Sequence, residues 1–318
     1  MISLTTLQTL RDAFGERLQA DIPLKRYTAA RIGGNADAMI TANSSEELAE
    51  TAKLLWNLEI PFIILGSGSN VLISDAGVRQ VVVLNRAKQV RFSTPTQSPM
   101  VWVESGANLG ALARRTVAKG LTGLEWAAGI PGTAGGAIVG NAGAHGSDMS
   151  GNLVMAEILH LYRIDHAGHH NISQENWLVE RFEYEYRSSI IKRQPGRVVV
   201  LSAELKLALS TPESVQVKME EYKTMRHNSQ PSGASLGSIF KNPAGDYAGM
   251  LIEAAGLKGT AIGKVEISRE HANFFINHDS ATANDYMALI SLAQQKVMEK
   301  FGVRLEPEIE FLGDWLGQ

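Results

Sequence analysis

Hydrophobic and polar positions along this chain change period several times, and each change marks a new element. Residues 36–42 (ADAMITA) read as a short strand. A helix follows from about Ser44 to Asn57, with Ser44 and Glu47 at capping-box spacing and Leu48, Ala52, Leu55 and Trp56 on one apolar stripe. PFIIL (61–65), VLIS (71–74) and VRQVVVL (78–84) have the length and β-branched content of buried strands. VWVE (101–104) predicts another strand, and Asn108 to about Lys119 a helix with Leu109, Leu112, Thr116 and Val117 on its inner face. AEILHLYRI (156–164), the turn DHAG (165–168) and RVVVLSAELKLAL (197–209) predict antiparallel strands. Helices are expected over Pro212–His227, over YAGMLIEAA (247–255) and from about Thr282 to Phe301, the last burying Leu289, Ile290, Ala293 and Val297. ANFFIN (272–277) and the closing LEPEIEFLG (305–313) read as strands, the latter placing Glu308 and Glu310 on one face. The sum is an α+β protein of three modules.

Composition narrows the class. With 318 residues, 44% hydrophobic and 20% charged, the chain can bury the cores of two or three domains. A formal charge of -3 argues against a dedicated nucleic-acid binder. The lack of cysteine rules out disulfides and thiolate metal sites, and fits a reducing compartment. MISLTTLQTLRDAFGERL lacks the apolar core of a signal peptide, and no run has the apolar length that spans a bilayer. A cytoplasmic location without membrane attachment is therefore expected.

Glycine is the unusual feature. Of 30 glycines, nine fall between Gly123 and Gly151, interleaved with Leu124, Trp126, Ile130, Ile138 and Val139, unlike a flexible linker. Such backbone lets a planar ligand lie against main-chain amides. A second loop, GSGSN (66–70), follows an apolar strand. The third glycine of a dinucleotide fingerprint would fall at Val71, and a strand rather than a helix follows, so a Rossmann site is excluded. Small residues there can still turn N–H groups onto a phosphate, or make a tight strand-to-strand turn. GASLG (233–237) spells the nucleophile elbow of serine hydrolases, but NSQPS before it and SIFKNP after it are neither strand nor helix. His166, His169 and His170 beside Asp165 fall in a polar hairpin turn, and no metal is expected.

Four longer segments carry a family resemblance. YTAARIGGNADAMI (27–40), LGSGSNVLISDAGVRQVVV (65–83), GLTGLEWAAGIPGTAGGAIVGNAGAHGSDM (120–149) and GSIFKNPAGDYAGMLIEAAGLKGTAIGKVEISREHANFFIN (237–277) resemble, in the same order, those of the UDP-N-acetylenolpyruvoylglucosamine reductases. YRSS (186–189) and LEPEI (305–309) complete the set. The resemblance implies an FAD-binding fold of two α/β domains plus a smaller α/β substrate-binding domain. Its boundaries would be 1–75 for the first FAD-binding subdomain, 76–227 completed by 303–318 for the second, and 228–302 for the substrate domain. It also implies NADPH as co-substrate and reduction of UDP-N-acetylglucosamine enolpyruvate to UDP-N-acetylmuramate in peptidoglycan precursor synthesis. FAD would be non-covalent, since no histidine lies in 27–84 for attachment. Another flavin oxidoreductase or oxidase of the same fold is the alternative. Asn35, Leu236 and IVGNAGAHG depart from the family's usual residues, and the chain resembles the shorter branch without a tyrosine-bearing substrate loop.

Carried over residue by residue, the resemblance makes Ser238 the proton donor, Arg187 the contact to the substrate carboxylate and Glu308 the third catalytic residue. Lys241, Asn242 and Tyr247 would bind the rest of the substrate, and Arg226, secondary to them, would contact the flavin or the substrate. Gly66, Ser67, Gly68, Ser69 and Asn70 are expected at the FAD pyrophosphate. Gly129, Ile130, Gly132, Thr133, Gly135 and Gly136 are expected along its ring systems.

Overall fold

Short polar side chains start the helices where local sequence places them. Ser44 accepts from the Glu47 N–H, Asn108 from Ala111 and Thr282 from Asp285, at 3.2, 2.8 and 3.0 Å. At Thr282 the capping box closes fully, whereas Glu47 turns its carboxylate to the Asn43 N–H (2.8 Å) rather than to that of Ser44. The computed structural model describes residues 2–93, 98–162 and 171–315, which leaves His166, His169, His170 and Asp165 outside the described residues. Helices and strands mix as α+β, in two units each gathered from separate stretches of chain.

The unit of Ile40–Gly66 and Val81–Met225 is built on a five-stranded antiparallel sheet. Its order is Ile172–Leu178, Leu153–Leu161, Val198–Lys206, Met100–Glu104 and Val90–Phe92. Alternation places Val101, Val103, Ala156, Ile158, Ala203 and Leu205 on one face, where they join Leu109, Leu112 and Ile138 from two helices in a single core. Phe62–Leu65 pairs in parallel with Val81 to Leu84. Glu104, 1% exposed, accepts the Ser45 and Gln89 N–H groups at 2.8 and 2.6 Å, tying the start of helix Ser45–Asn57 to the sheet. RVVVLSAELKLAL predicts one strand, but it ends at Lys206, and Ala208–Leu209 pairs with Leu121–Thr122. Leu207 turns inward there, its N–H donating to the Pro99 carbonyl at 2.9 Å, so the chain changes partner in mid-run.

The unit of Met1–Met39, Ser67–Gln80 and Arg226–Gln318 has its own core. The sheet Ala261–Ile262, Val265–Ile267, Phe275–Asn277 lies against helix Ala283–Phe301, which buries Tyr286, Leu289, Ile290, Ala293 and Val297. The Tyr286 hydroxyl, fully buried, donates to the Phe275 carbonyl. Asp75 accepts the Ala283 and Asn284 N–H groups at 2.8 and 3.0 Å, satisfying donors that the first helical turn leaves open. Val71–Ile73 runs parallel to Glu310–Leu312. The expected strand LEPEIEFLG is therefore shorter than its alternation predicts. Pro307, which lacks an N–H, sits in an isolated bridge to Phe240, and a bend at Ile309 separates Glu308 from Glu310. Among the described residues no helix is long and apolar enough to cross a membrane.

An acid-sensitive contact closes one edge of the five-stranded sheet. Burial pushes the Glu175 carboxyl up, but hydrogen bonds from Tyr162, Trp177 and Arg181 outweigh it and hold the group at about 2. A carboxyl held below its unfolded value stabilises the fold above pH 4.5 and loses that contribution as pH falls toward 2. Glu175→Gln is expected to cost about 1–2 kcal/mol at pH 7. It should also flatten the fall in Tm between pH 5 and pH 3, measured by thermal melts of both proteins; parallel melting curves would refute the assignment.

Candidate active site

A serine hydroxyl works as an acid only where the backbone around it is fixed. Ser238 begins a stretch with partners on both sides. It bridges Phe274, and the next residue donates its N–H to the Asn273 carbonyl at 2.8 Å. On the other side the Ile239 carbonyl accepts the Glu308 N–H (2.8 Å), and the Lys241 N–H donates to the Glu306 carbonyl (2.9 Å). Ile239 and Phe240 are fully buried and anchor the segment in the core. Glu308 thus lies on the strand-like segment directly beside Ser238's own. Its carbonyl accepts from the Asn70 side chain at 3.1 Å, and the Asn70 carbonyl takes the Glu310 N–H at 2.8 Å. Ser238, Glu308 and Asn70, far apart in sequence, are linked through one set of backbone bonds.

The expected substrate residues follow on the same segment. Lys241 lies 3.6 Å from the exposed Glu306 carboxylate, a pairing of small energetic worth. Asn242 turns its Oδ1 to the Ala248 N–H (3.1 Å) at the start of helix Ala248–Ala254. Tyr247 is 63% exposed.

Arg187 belongs to the other unit. Glu185 and Ser188 exchange two backbone hydrogen bonds of 3.1 Å, which leaves Tyr186 and Arg187 at the tip of a tight turn. Arg187 there takes φ +55°, a left-handed conformation costing a non-glycine residue about 1–2 kcal/mol. The guanidinium donates to the Gly143 and Asn141 carbonyls at 2.7 and 3.5 Å and packs over Tyr186. Asn141, itself at φ +45° and 4% exposed, donates to the Glu185 carbonyl (3.1 Å) and accepts the Ser150 N–H (3.0 Å). The Ser189 hydroxyl donates to the Val139 carbonyl at 2.6 Å. The end of the glycine-rich run and YRSS are thereby tied together, so IVGNAGAHG is the support on which Arg187 rests.

Backbone conformation and close packing account for glycine at several of the expected cofactor positions. Gly129 and Gly132 take φ +80° and +145°, and Gly129 and Gly136 are exposed. Thr133 caps the helix Ala134–Gly140, accepting the Gly136 N–H at 3.3 Å. A Cβ on Gly66 would lie 2.7 Å from Thr133 Oγ1, and one on Gly135 2.8 Å from Ser105 Cβ. Ile130 is half-buried between these bare stretches. In the other unit Gly68 (φ +60°) lies against YTAARIGG, its carbonyl accepting the Ala29 N–H at 2.9 Å, with exposed Ser67 before it and half-buried Ser69 after it. Exposed Gly129 and Gly136 leave main chain bare, as a flavin requires, and exposed Ser67 offers a small hydroxyl of the kind a pyrophosphate takes. The elbow geometry around Ser235 is absent: no strand precedes GASLG and no helix follows, and Leu236 is 2% exposed in the core.

Comparison with known proteins establishes the family. A family model for an FAD binding domain matches residues 36–168, and one for the UDP-N-acetylenolpyruvoylglucosamine reductase C-terminal domain matches residues 229–312. The UDP-N-acetylenolpyruvoylglucosamine reductase of Rubrobacter xylanophilus is 41% identical over 92% of this chain and 95% of that protein. That of Bacillus subtilis is 37% identical, over 96% and 98%. The chain belongs to the UDP-N-acetylenolpyruvoylglucosamine reductase family. The crystal structure of the Thermus caldophilus reductase superposes with a TM-score of 0.74 at 32% identity, covering 93% of this chain and 99% of that one.

Two residues in this reductase chain escape a sequence reading based on motifs. Asn273 and Asn141 are buried asparagines whose carboxamides hold backbone at Phe240 and at Glu185. An asparagine beside a buried run is the only local signal, and it names no partner. Gly68 offers a direct test of the loop. A Cβ there would sit 2.0 Å from the Tyr27 carbonyl oxygen. Gly68→Ala is expected to lose roughly 2–4 kcal/mol of stability. Gly140→Ala, where a Cβ meets nothing within 4 Å, should melt near wild type. Equal melting of the two variants would contradict the assigned conformation.

Proposed function

We propose that this chain reduces UDP-N-acetylglucosamine enolpyruvate to UDP-N-acetylmuramate with electrons from NADPH, as a cytoplasmic step of peptidoglycan precursor synthesis. Membership of the reductase family supports the activity. The observation that carries the site assignment is the backbone pairing that sets Glu308 beside the Ser238 segment. Gly66–Asn70 and Gly129, Ile130, Gly132, Thr133, Gly135 and Gly136 would hold FAD non-covalently, and the flavin would supply the two-electron chemistry between NADPH and the enol ether.

The protein's own residues then have separable tasks. Reduction adds a hydride equivalent at the terminal carbon of the enolpyruvyl double bond and a proton at the carbon bearing the ether oxygen. Negative charge develops toward the carboxylate between the two events. Arg187 supplies a charged planar fork for that carboxylate, steadied by its bonds to the Gly143 and Asn141 carbonyls. Glu308 assists at the enol. Ser238 delivers the proton, its backbone fixed on both sides so that a weak acid stands close to a strongly basic carbon. Lys241, Asn242 and Tyr247 hold the diphosphate and sugar.

An anaerobic absorbance titration tests the reading. Flavin absorbance of the holoenzyme is expected to bleach with NADPH and return on addition of UDP-N-acetylglucosamine enolpyruvate. Bleaching that only oxygen reverses would point instead to an oxidase of the same fold. Ser238→Ala should still bleach, while its recovery with the enol ether slows by roughly 10²–10⁴-fold. Unchanged recovery would remove Ser238 from the chemistry.

A further inference from the structure

Phe240 has a fully buried side chain, and its peptide groups lie where a regular ladder fails. The segment bridged at Pro307 bonds to the residues on either side, Ile239 and Lys241, so the N–H and C=O of Phe240 itself point the other way. A side chain meets them there. Asn273, 3% exposed, accepts the Phe240 N–H on Oδ1 at 2.9 Å and donates from Nδ2 to the Phe240 carbonyl at 2.8 Å. Its own carbonyl takes the Ile239 N–H at 2.8 Å, and its N–H donates to His271 Nδ1 at 3.2 Å. One residue thus stands in for a strand, making three of its bonds to the two residues that follow Ser238. A carboxamide is the side chain that both donates and accepts in one plane, as a peptide does.

We propose that Asn273 is a positioning residue for the proton-transfer step: it sets the backbone of Ile239 and Phe240, and through it the location of the Ser238 hydroxyl. The inference rests on the reading of Ser238 as proton donor. Asn273 has no part in reduction by NADPH, so the two half-reactions separate its effect from general damage.

The experiment uses the holoenzyme in stopped flow, with NADPH for bleaching and UDP-N-acetylglucosamine enolpyruvate for recovery. Asn273→Asp keeps the size and the acceptor but sets a carboxylate oxygen against the Phe240 carbonyl. It is expected to bleach within about twofold of wild type and to recover about 10–100-fold more slowly, the scale set by misplacing a reacting group by about 1 Å. The substrate KM should change far less than kcat. In a Ser238→Ala background the same change should add little, because two residues acting through one hydroxyl are not additive. Should Asn273→Asp fail to fold, Asn273→Ser, which retains one hydroxyl partner, gives the same readouts. Equal slowing of both half-reactions, additive losses in the double variant, or normal recovery would each overturn the proposal. A Ser238→Ala enzyme that recovers normally would instead overturn the reading beneath it.

Discussion

Pairing buried peptide groups where no regular sheet exists is the constraint on which the candidate site depends. An unpaired buried donor or acceptor costs about 1–3 kcal/mol, so irregular backbone persists only where each group finds a partner. The stretch beginning at Ser238 draws its partners from Asn273, Glu306 and Glu308, and Asn70 in turn binds the Glu308 carbonyl. Irregularity is useful here. A regular strand would turn alternate side chains to opposite faces, whereas these bridges set a hydroxyl and a carboxylate on neighbouring segments with their main chains satisfied.

The other unit solves the same problem with left-handed residues. Asn141 and Arg187 both have positive φ, and each is held by bonds to the other's surroundings: the guanidinium on the Asn141 and Gly143 carbonyls, the Asn141 amide on the Glu185 carbonyl. Strain of this kind survives where the contacts over-determine it. The Tyr184 hydroxyl on the Ile138 carbonyl adds another tie, and burial pushes its ionisation far above the ordinary range, leaving a neutral donor. The glycine-rich run is therefore not slack chain. Its bare surfaces are backed by bonds at Ser105, Thr133, Ser189 and Arg187.

A division of labour follows. Glycines leave main chain bare, and polar side chains behind them hold that main chain still. The polar residues with the largest geometric consequence, Asn141 and Asn273, are neutral. In a buried setting a neutral amide satisfies both donor and acceptor without the desolvation penalty of a charge.

Whatever depends on neighbours within a few residues is legible in the chain's local order. Helix starts at Ser44, Asn108 and Thr282, the apolar faces of the helices and the strand-forming runs are local energetics, and they stand where periodicity puts them. Motif resemblance also pointed to Ser238, Arg187 and Glu308, because ordered segments this long carry the imprint of a shared site. The partners emerge only in three dimensions. The break after Lys206, the bend between Glu308 and Glu310, Asn70 on Glu308 and Asn273 on Phe240 all join residues 30 or more positions apart, or reflect a strand exchanging one neighbour for another. A hydrogen bond between remote peptide groups leaves no periodic trace in either stretch, since any residue supplies the same N–H and C=O; which pair meets is settled when the core closes.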